Sequence, residues 1–254
     1  MKKFFALLLS IVFVAICFTG CSATGKTLEE VKAAGVITIA TCPDFPPFES
    51  LEGDEVVGIE VEIMKLVCEE LGVECKFEQM DFESVLIGIQ SAKFDCAMSG
   101  ITVNPDREKN MLFTKPYYIA AQVIVVKADS GIKSKADLAG KTVSVQSGTT
   151  AEQGCQDEGI TVSAYTANAD AKAALTTGKV DAWVVDNLTA IQMVEEGDGL
   201  KILEENLTDE PYAFAFAKGS EDLVEEINKT LDTLIENGTI KKIFEDFGEE
   251  YVKP

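Results

Sequence analysis

Two stretches, YYIAAQVIVVK at 117–127 and YAFAFAK at 212–218, decide the fold. Both are extended apolar runs rich in β-branched and aromatic residues, and neither is flanked by a helical pattern on each side. The rest of the chain alternates. Short apolar runs at Val36–Ala40, Glu74–Gln79, Asp95–Ser99, Thr142–Gln146, Thr161–Tyr165, Asp181–Val185 and Leu200–Leu203 read as strands. Helical periodicity fills the gaps. Ile59, Ile63, Leu66, Val67 and Leu71 share a face closed by Gly72, and Asp81 caps a run containing Val85, Leu86 and Ile89. Ser134 precedes Leu138 and a stop at Gly140, and Ser220 heads a stripe from Leu223 to Ile235 that ends at Gly238. Strands alternating with helices predict an α/β protein with mostly parallel sheets. Against that background the two odd stretches read as strands crossing between two α/β lobes, the second inserted in the first. Spacing alone would equally allow two edge strands.

Composition narrows the function. The chain has 254 residues, 46% of them hydrophobic, enough for one or two domains with a sizeable core. Its 22 basic and 43 acidic side chains leave a net charge of −21, which argues against nucleic acid as a partner. The absence of histidine excludes His-dependent triads, HExxH zinc sites and imidazole bases. Beyond Cys21, cysteines stand at 42, 68, 75, 96 and 155, an odd number with no CxxC pair and no metal-like spacing. Cys68 and Cys96 lie in apolar runs as small hydrophobes; a Cys68–Cys75 bridge is possible and is not assumed.

The N-terminus reads as an address. Lys2 and Lys3 precede the apolar run FFALLLSIVFVAICFT (4–19), the layout of a secretory signal. Phe18-Thr19-Gly20-Cys21 resembles the bacterial lipobox, with Phe18 in place of the usual leucine. The resemblance implies a signal peptide over 1–20, lipidation of Cys21 and a tether over 21–27. The same spot holds GCSATGKT (20–27), a full match to the phosphate-cradling pattern GxxxxGK[ST]. The preceding apolar run is too long for one strand, and cleavage before Cys21 would remove the first glycine. The nucleotide reading is set aside.

Five quoted segments in four blocks carry a wider resemblance: TCPDFPPFES (41–50) with VVGIEVEIMKLVCEELG (56–72), DFESVLIGIQSAKFDCAMSGITVNPDREKNMLFTKPYY (81–118), GKTVSVQSGTTAEQ (140–153) and GKVDAWVVDN (178–187). In order and spacing the chain resembles the extracytoplasmic solute-binding proteins of polar amino-acid ABC transporters. The resemblance implies two doubly wound α/β lobes joined by two crossing hinge strands, the type II periplasmic-binding-protein fold. Lobe 1 would comprise 28–118 and 213–254, and lobe 2 would comprise 119–212. It implies a monomer that binds a free L-amino acid, hands it to a membrane permease and uses no cofactor or metal.

A buried zwitterion needs partners for both of its charges. Arginine suits the carboxylate through its two-pronged guanidinium, and aspartate suits the ammonium. The resemblance places Arg107 in the first role and Asp186 in the second, with the Gly100 carbonyl and the Thr102 hydroxyl as further acceptors. Thr149 and Thr150 open a helix whose free N–H groups would meet the carboxylate from the other lobe. Phe45 and Phe82 match positions that sandwich the ligand side chain, and Gln146 is a further candidate for touching it. Cys42 stands where some binders of basic amino acids carry aspartate, with Asp44 and Glu49 close by. Glutamine, a basic residue and other polar amino acids all stay open. The competing readings are an extracytoplasmic enzyme of the same fold, dehydratase-like, and a ligand-sensing lipoprotein without transport. No catalytic residue is assigned.

Overall fold

A computed structural model describes residues 24–254. The expected signal peptide, Cys21 and the first half of GCSATGKT lie outside the described residues. The described half of that motif is committed to other work. The Lys26 ammonium pairs with Asp95 at 3.0 Å, and Thr27 caps the helix Leu28–Ala34 through a reciprocal box with Glu30.

Two five-stranded sheets form the frame. The first runs in the order Glu74–Gln79, Val36–Thr41, Cys96–Ala97, Ala215–Ala217, Met111–Phe113. The second runs Thr161–Tyr165, Thr142–Gln146, Ala182–Asp186, Gln122–Lys127, Leu200–Ile202. In each, the first three strands are parallel and the last two join antiparallel. The expectation of mostly parallel sheets is therefore corrected. Ala215–Ala217 and Gln122–Lys127 arrive from the crossing strands, so they run against neighbours whose carboxyl ends face the cleft.

The crossing strands pair with each other, Tyr118–Ala120 antiparallel to Glu210–Tyr212. Each expected crossing segment is thus split. YYIAAQVIVVK breaks at Ala121 before entering the second sheet. The second crossing begins two residues ahead of YAFAFAK, whose remainder lies in the first sheet.

Both faces of the sheets are covered, as parallel strands require. In the second sheet Ile124, Val126, Ala182 and Val184 fall in one buried cluster, while Val123, Val125, Trp183 and Val185 fall in another. In the first lobe the helix Ile59–Leu71 buries Val61, Ile63, Met64 and Val67. Gly72 ends that helix at φ 72°, a left-handed position that suits glycine. The helix Glu221–Glu236 buries Leu223, Ile227, Leu231 and Leu234 in the same cluster.

Several local expectations change. The strand expected at Asp95–Ser99 shrinks to Cys96–Ala97, although Asp95 N–H and Met98 N–H still donate to the Thr38 and Ala40 carbonyls at 3.0 Å. The Asp95 carboxylate also takes the backbone N–H and hydroxyl of Thr38 at 2.9 and 2.8 Å. The segment after Ser134 is a 3-10 helix, Lys135–Leu138. Ser220 holds the N-cap position without a side-chain capping bond. A hairpin of Ser50–Glu52 with Glu55–Val57 and a last helix, Thr239–Asp246, were not foreseen. Cys68 and Cys75 are bridged, tying a helix end to the neighbouring strand, whereas Cys42, Cys96 and Cys155 are buried free thiols.

Candidate functional site

Open α/β sheets present ligand sites outside the carboxyl ends of their strands. Both sheets do so toward each other. Asp44 and Phe45 follow Val36–Thr41, Phe82 follows Glu74–Gln79, and Ser99 and Gly100 follow Cys96–Ala97. From the other sheet, Gln146 ends one strand, Thr149 and Thr150 lie just beyond it, and Asp186 ends another. With Thr102 and Arg107, these residues line one cavity. All seven residues expected at the ligand, Phe45, Phe82, Gly100, Thr102, Arg107, Thr150 and Asp186, come together on its wall.

Arg107 spans the cleft. It sits in the short helix Pro105–Glu108, capped by Asn104. Its Nη1 donates to the Thr102 carbonyl at 2.9 Å and its Nη2 to the Gly148 carbonyl of the opposite lobe at 3.2 Å. The guanidinium also lies 5.5 Å from the centre of the Phe82 ring, within cation–π range. Burial lowers its pKa to about 10, against the opposing pull of Glu210 and Asp186, so it is charged at neutral pH.

Asp186 begins the helix Asn187–Met193, but its side chain makes no capping bond. Its Oδ1 is buried with no hydrogen-bond partner among the described residues. Burial and then the neighbouring Glu210 push this carboxyl well above the usual range, with Tyr212 and Arg107 opposing. An orphaned buried carboxylate oxygen on a cavity wall calls for a donor or a cation.

The threonines divide their work. Thr149 caps the helix Thr150–Asp157 by accepting from the Glu152 N–H. The Thr150 hydroxyl donates to Glu210 at 3.0 Å and accepts from Gln122 at 2.8 Å. Phe45 packs over Gly100: a Cβ there would lie 2.5 Å from the ring, and Gly100 sits at φ +55°. A side chain at position 100 is therefore excluded on two grounds.

At another part of the wall, Asp44 reaches across the cleft. Its carboxylate accepts from the Asn168 N–H at 2.9 Å, from Gln146 Nε2 at 3.2 Å and from Cys42 Sγ at 3.2 Å. Asn168 opens the helix Asn168–Thr176, which has no side-chain cap of its own, so a carboxylate from the other lobe fills that place. Burial, then Asp44, pushes the Cys42 thiol up, so it is a neutral donor. Sequence reasoning passed over Ser99, Asn168 and Glu210. Ser99 adjoins Gly100 and was within reach; Glu210, between Asp209 and Pro211, carries no local signal.

Two α/β lobes facing a cavity lined by an arginine on one side and an aspartate on the other define a cleft receptor for a small dipolar solute. The chain belongs to the bacterial extracellular solute-binding proteins, family 3, whose sequence profile matches residues 37–250. It is 32% identical over 250 residues to the arginine-binding extracellular protein ArtP of Bacillus subtilis (strain 168), covering 96% of each chain. It is 30% identical over 234 residues to the L-cystine-binding protein TcyJ of Escherichia coli (strain K12), covering 89% of this chain and 88% of that one. A solved structure of an ancestral arginine-binding protein bound to glutamine superposes with a TM-score of 0.80 at 38% identity, covering 85% of this chain and 99% of that one.

Proposed function

We propose that this protein captures a free amino acid outside the cytoplasmic membrane by closing two lobes over it and delivers it to an ABC permease. The observation that carries this reading is Arg107, from the helix Pro105–Glu108, and Asp186, from the end of a strand of the second sheet, meeting on one cavity. Arg107 would take the α-carboxylate with the N–H groups at Thr149 and Thr150. Asp186 would take the α-ammonium with the Gly100 carbonyl and the Thr102 hydroxyl. Because the partners are split between lobes, one ligand completes the set only on closure, and binding stabilises the closed state. The lobes on this reading are 28–118 with 213–254, and 119–212. The protein acts as a monomeric binding protein and not as an enzyme.

The ligand we favour is L-arginine. The zwitterion uses Arg107 and Asp186, which leaves the Asp44 carboxylate on the wall with partners of its own. A cationic side chain answers it, and two of the similar proteins are named for arginine binding, while TcyJ is named for L-cystine and the solved ancestral structure holds glutamine. Asp44 then does what Cys42 cannot, two residues along. We further propose that residues 1–20 are a signal peptide and that Cys21 carries the lipid anchor, palmitate among its acyl chains. No helix among the described residues is long and apolar enough to cross a membrane.

A thermal-shift screen of the twenty amino acids and cystine tests the reading. L-Arginine should give the largest rise in Tm by mass action. Asp44→Asn should weaken arginine by about 10–100-fold, the loss of one charge-assisted contact, and glutamine far less. Silence across the panel would sink the proposal; equal losses for both ligands would remove Asp44 from the specificity argument.

A further inference from the structure

Behind the cleft wall, two glutamates face each other. Glu49 and Glu60 are both fully buried. Their hydrogen-bond partners are neutral and include consecutive residues of the site. The Ser99 hydroxyl donates to Glu49 Oε1 at 2.9 Å, the Gly100 N–H donates to Glu60 Oε2 at 3.1 Å, and the Tyr117 hydroxyl donates to Glu60 Oε1. The remaining oxygen, Glu49 Oε2, is buried without a partner among the described residues.

The same pair holds the turn that carries Phe45. Phe45 and Glu49 exchange backbone bonds at 3.0 and 3.2 Å, and the Glu60 N–H donates to the Phe48 carbonyl at 3.1 Å. Ser99 Oγ in turn accepts from the Cys42 N–H at 3.2 Å. One network therefore fixes the Phe45 turn, the start of the helix Ile59–Leu71 and the Ser99–Gly100 wall.

Two adjacent carboxylates in so dry a place, without a cation, cannot both ionise. A single proton shared by the pair lets one carboxyl donate to the other, and Glu49 Oε2, without a partner of its own, is the oxygen free to carry it. We propose that Glu49 and Glu60 hold one proton between them and act as positioning residues for the Ser99–Gly100 wall, and that an arriving ligand ammonium drives that proton out. The last clause rests on the amino-acid reading of the cleft; the shared proton does not.

Burial, and then Glu60, holds Glu49 well above the usual carboxylate range, and burial lifts Glu60 to about 7. Asp44 and Cys42 face Glu49, while Cys96, Tyr117 and Tyr212 face Glu60; burial pushes the Cys42 and Cys96 thiols and the Tyr212 hydroxyl up, so none of these three carries charge at pH 7. The sign follows. A carboxyl raised in the folded state contributes stability that is full below its unfolded pKa of 4.5 and is lost as pH climbs through about 7. A nearby cation favours the ionised form, so binding releases a proton and affinity rises with pH up to neutrality.

The test has two arms. In the first, Tm of ligand-free wild type falls between pH 6 and 8.5, and Glu49→Gln, whose amide N–H stands in for the acid O–H, flattens that fall. In the second, calorimetry with L-arginine at pH 7 in buffers of different ionisation enthalpy shows proton release in the wild type. Glu49→Gln should lose more than about half of that release, Asp186 supplying the rest, and keep affinity within about threefold; Glu49→Ala should lose more than tenfold. Glu60→Gln serves if Glu49→Gln does not fold. The same Tm slope and the same proton release in variant and wild type would overturn the proposal. If arginine does not bind the wild type, the reading of the cleft fails, and the ligand-free arm still decides whether the proton is shared.

Discussion

Arg107→Ala should weaken L-arginine binding by about two to three and a half decades, the 3–5 kcal/mol expected when one partner of a buried ion pair is removed. Two losses combine. The α-carboxylate would be left desolvated without its guanidinium, and the Nη2 bond to the Gly148 carbonyl across the cleft would go with it. Arg107→Lys should recover only part of the loss, because an ammonium cannot serve the Thr102 and Gly148 carbonyls and a carboxylate from one planar fork. Calorimetry measures both. A loss below about threefold for the alanine variant would remove Arg107 from the binding role.

Asp186→Asn should move affinity and stability in opposite directions. Binding should weaken by at least about 30-fold, since truncating one side of a buried hydrogen-bonded charge pair costs about 2–5 kcal/mol. The ligand-free protein should nevertheless melt higher at neutral pH. Asp186 is a carboxyl whose folded pKa is raised, mainly by burial. Its stabilising contribution is full below the ordinary value of 3.8 and is lost as pH rises toward the folded one, so the advantage of asparagine should grow with pH. Thermal melts between pH 5 and 8, paired with calorimetry, check both signs. A variant that binds normally, or melts lower at every pH, would contradict the role assigned to the orphaned Oδ1.

Much of the frame was legible because periodicity reports which faces are buried. The strands Glu74–Gln79, Thr142–Gln146 and Thr161–Tyr165 fall where the apolar alternation puts them, and Gly72 closes its helix as expected. The hairpin at 50–57 was missed because SLEGDEVV is charged and mostly exposed, leaving no apolar pattern to read. The crossing strand Glu210–Tyr212 was misplaced by two residues for a related reason. Its buried Glu210 is satisfied by Thr150 from another element, and a pairing so distant leaves no mark in the local sequence. At the site, the family resemblance brought out Arg107, Asp186 and the two aromatics; residue type alone said only which charge of a zwitterion each could answer. Asp44 was noticed only as a neighbour of Cys42, since its contacts with Gln146 and Asn168 depend on how the lobes meet. Glu49 too was noticed only beside Cys42, and its pairing with Glu60 lay beyond sequence reading, because a glutamate looks like surface until packing removes the water around it.

The grip from two sides is tested most directly by a crystal structure of the protein with L-arginine. The account predicts one arginine in the cavity, its α-carboxylate on Arg107 and the helix start at Thr150, its α-ammonium on Asp186, and its guanidinium toward Asp44. An arginine held by residues of one lobe only, with Asp186 Oδ1 still unpartnered, would contradict it.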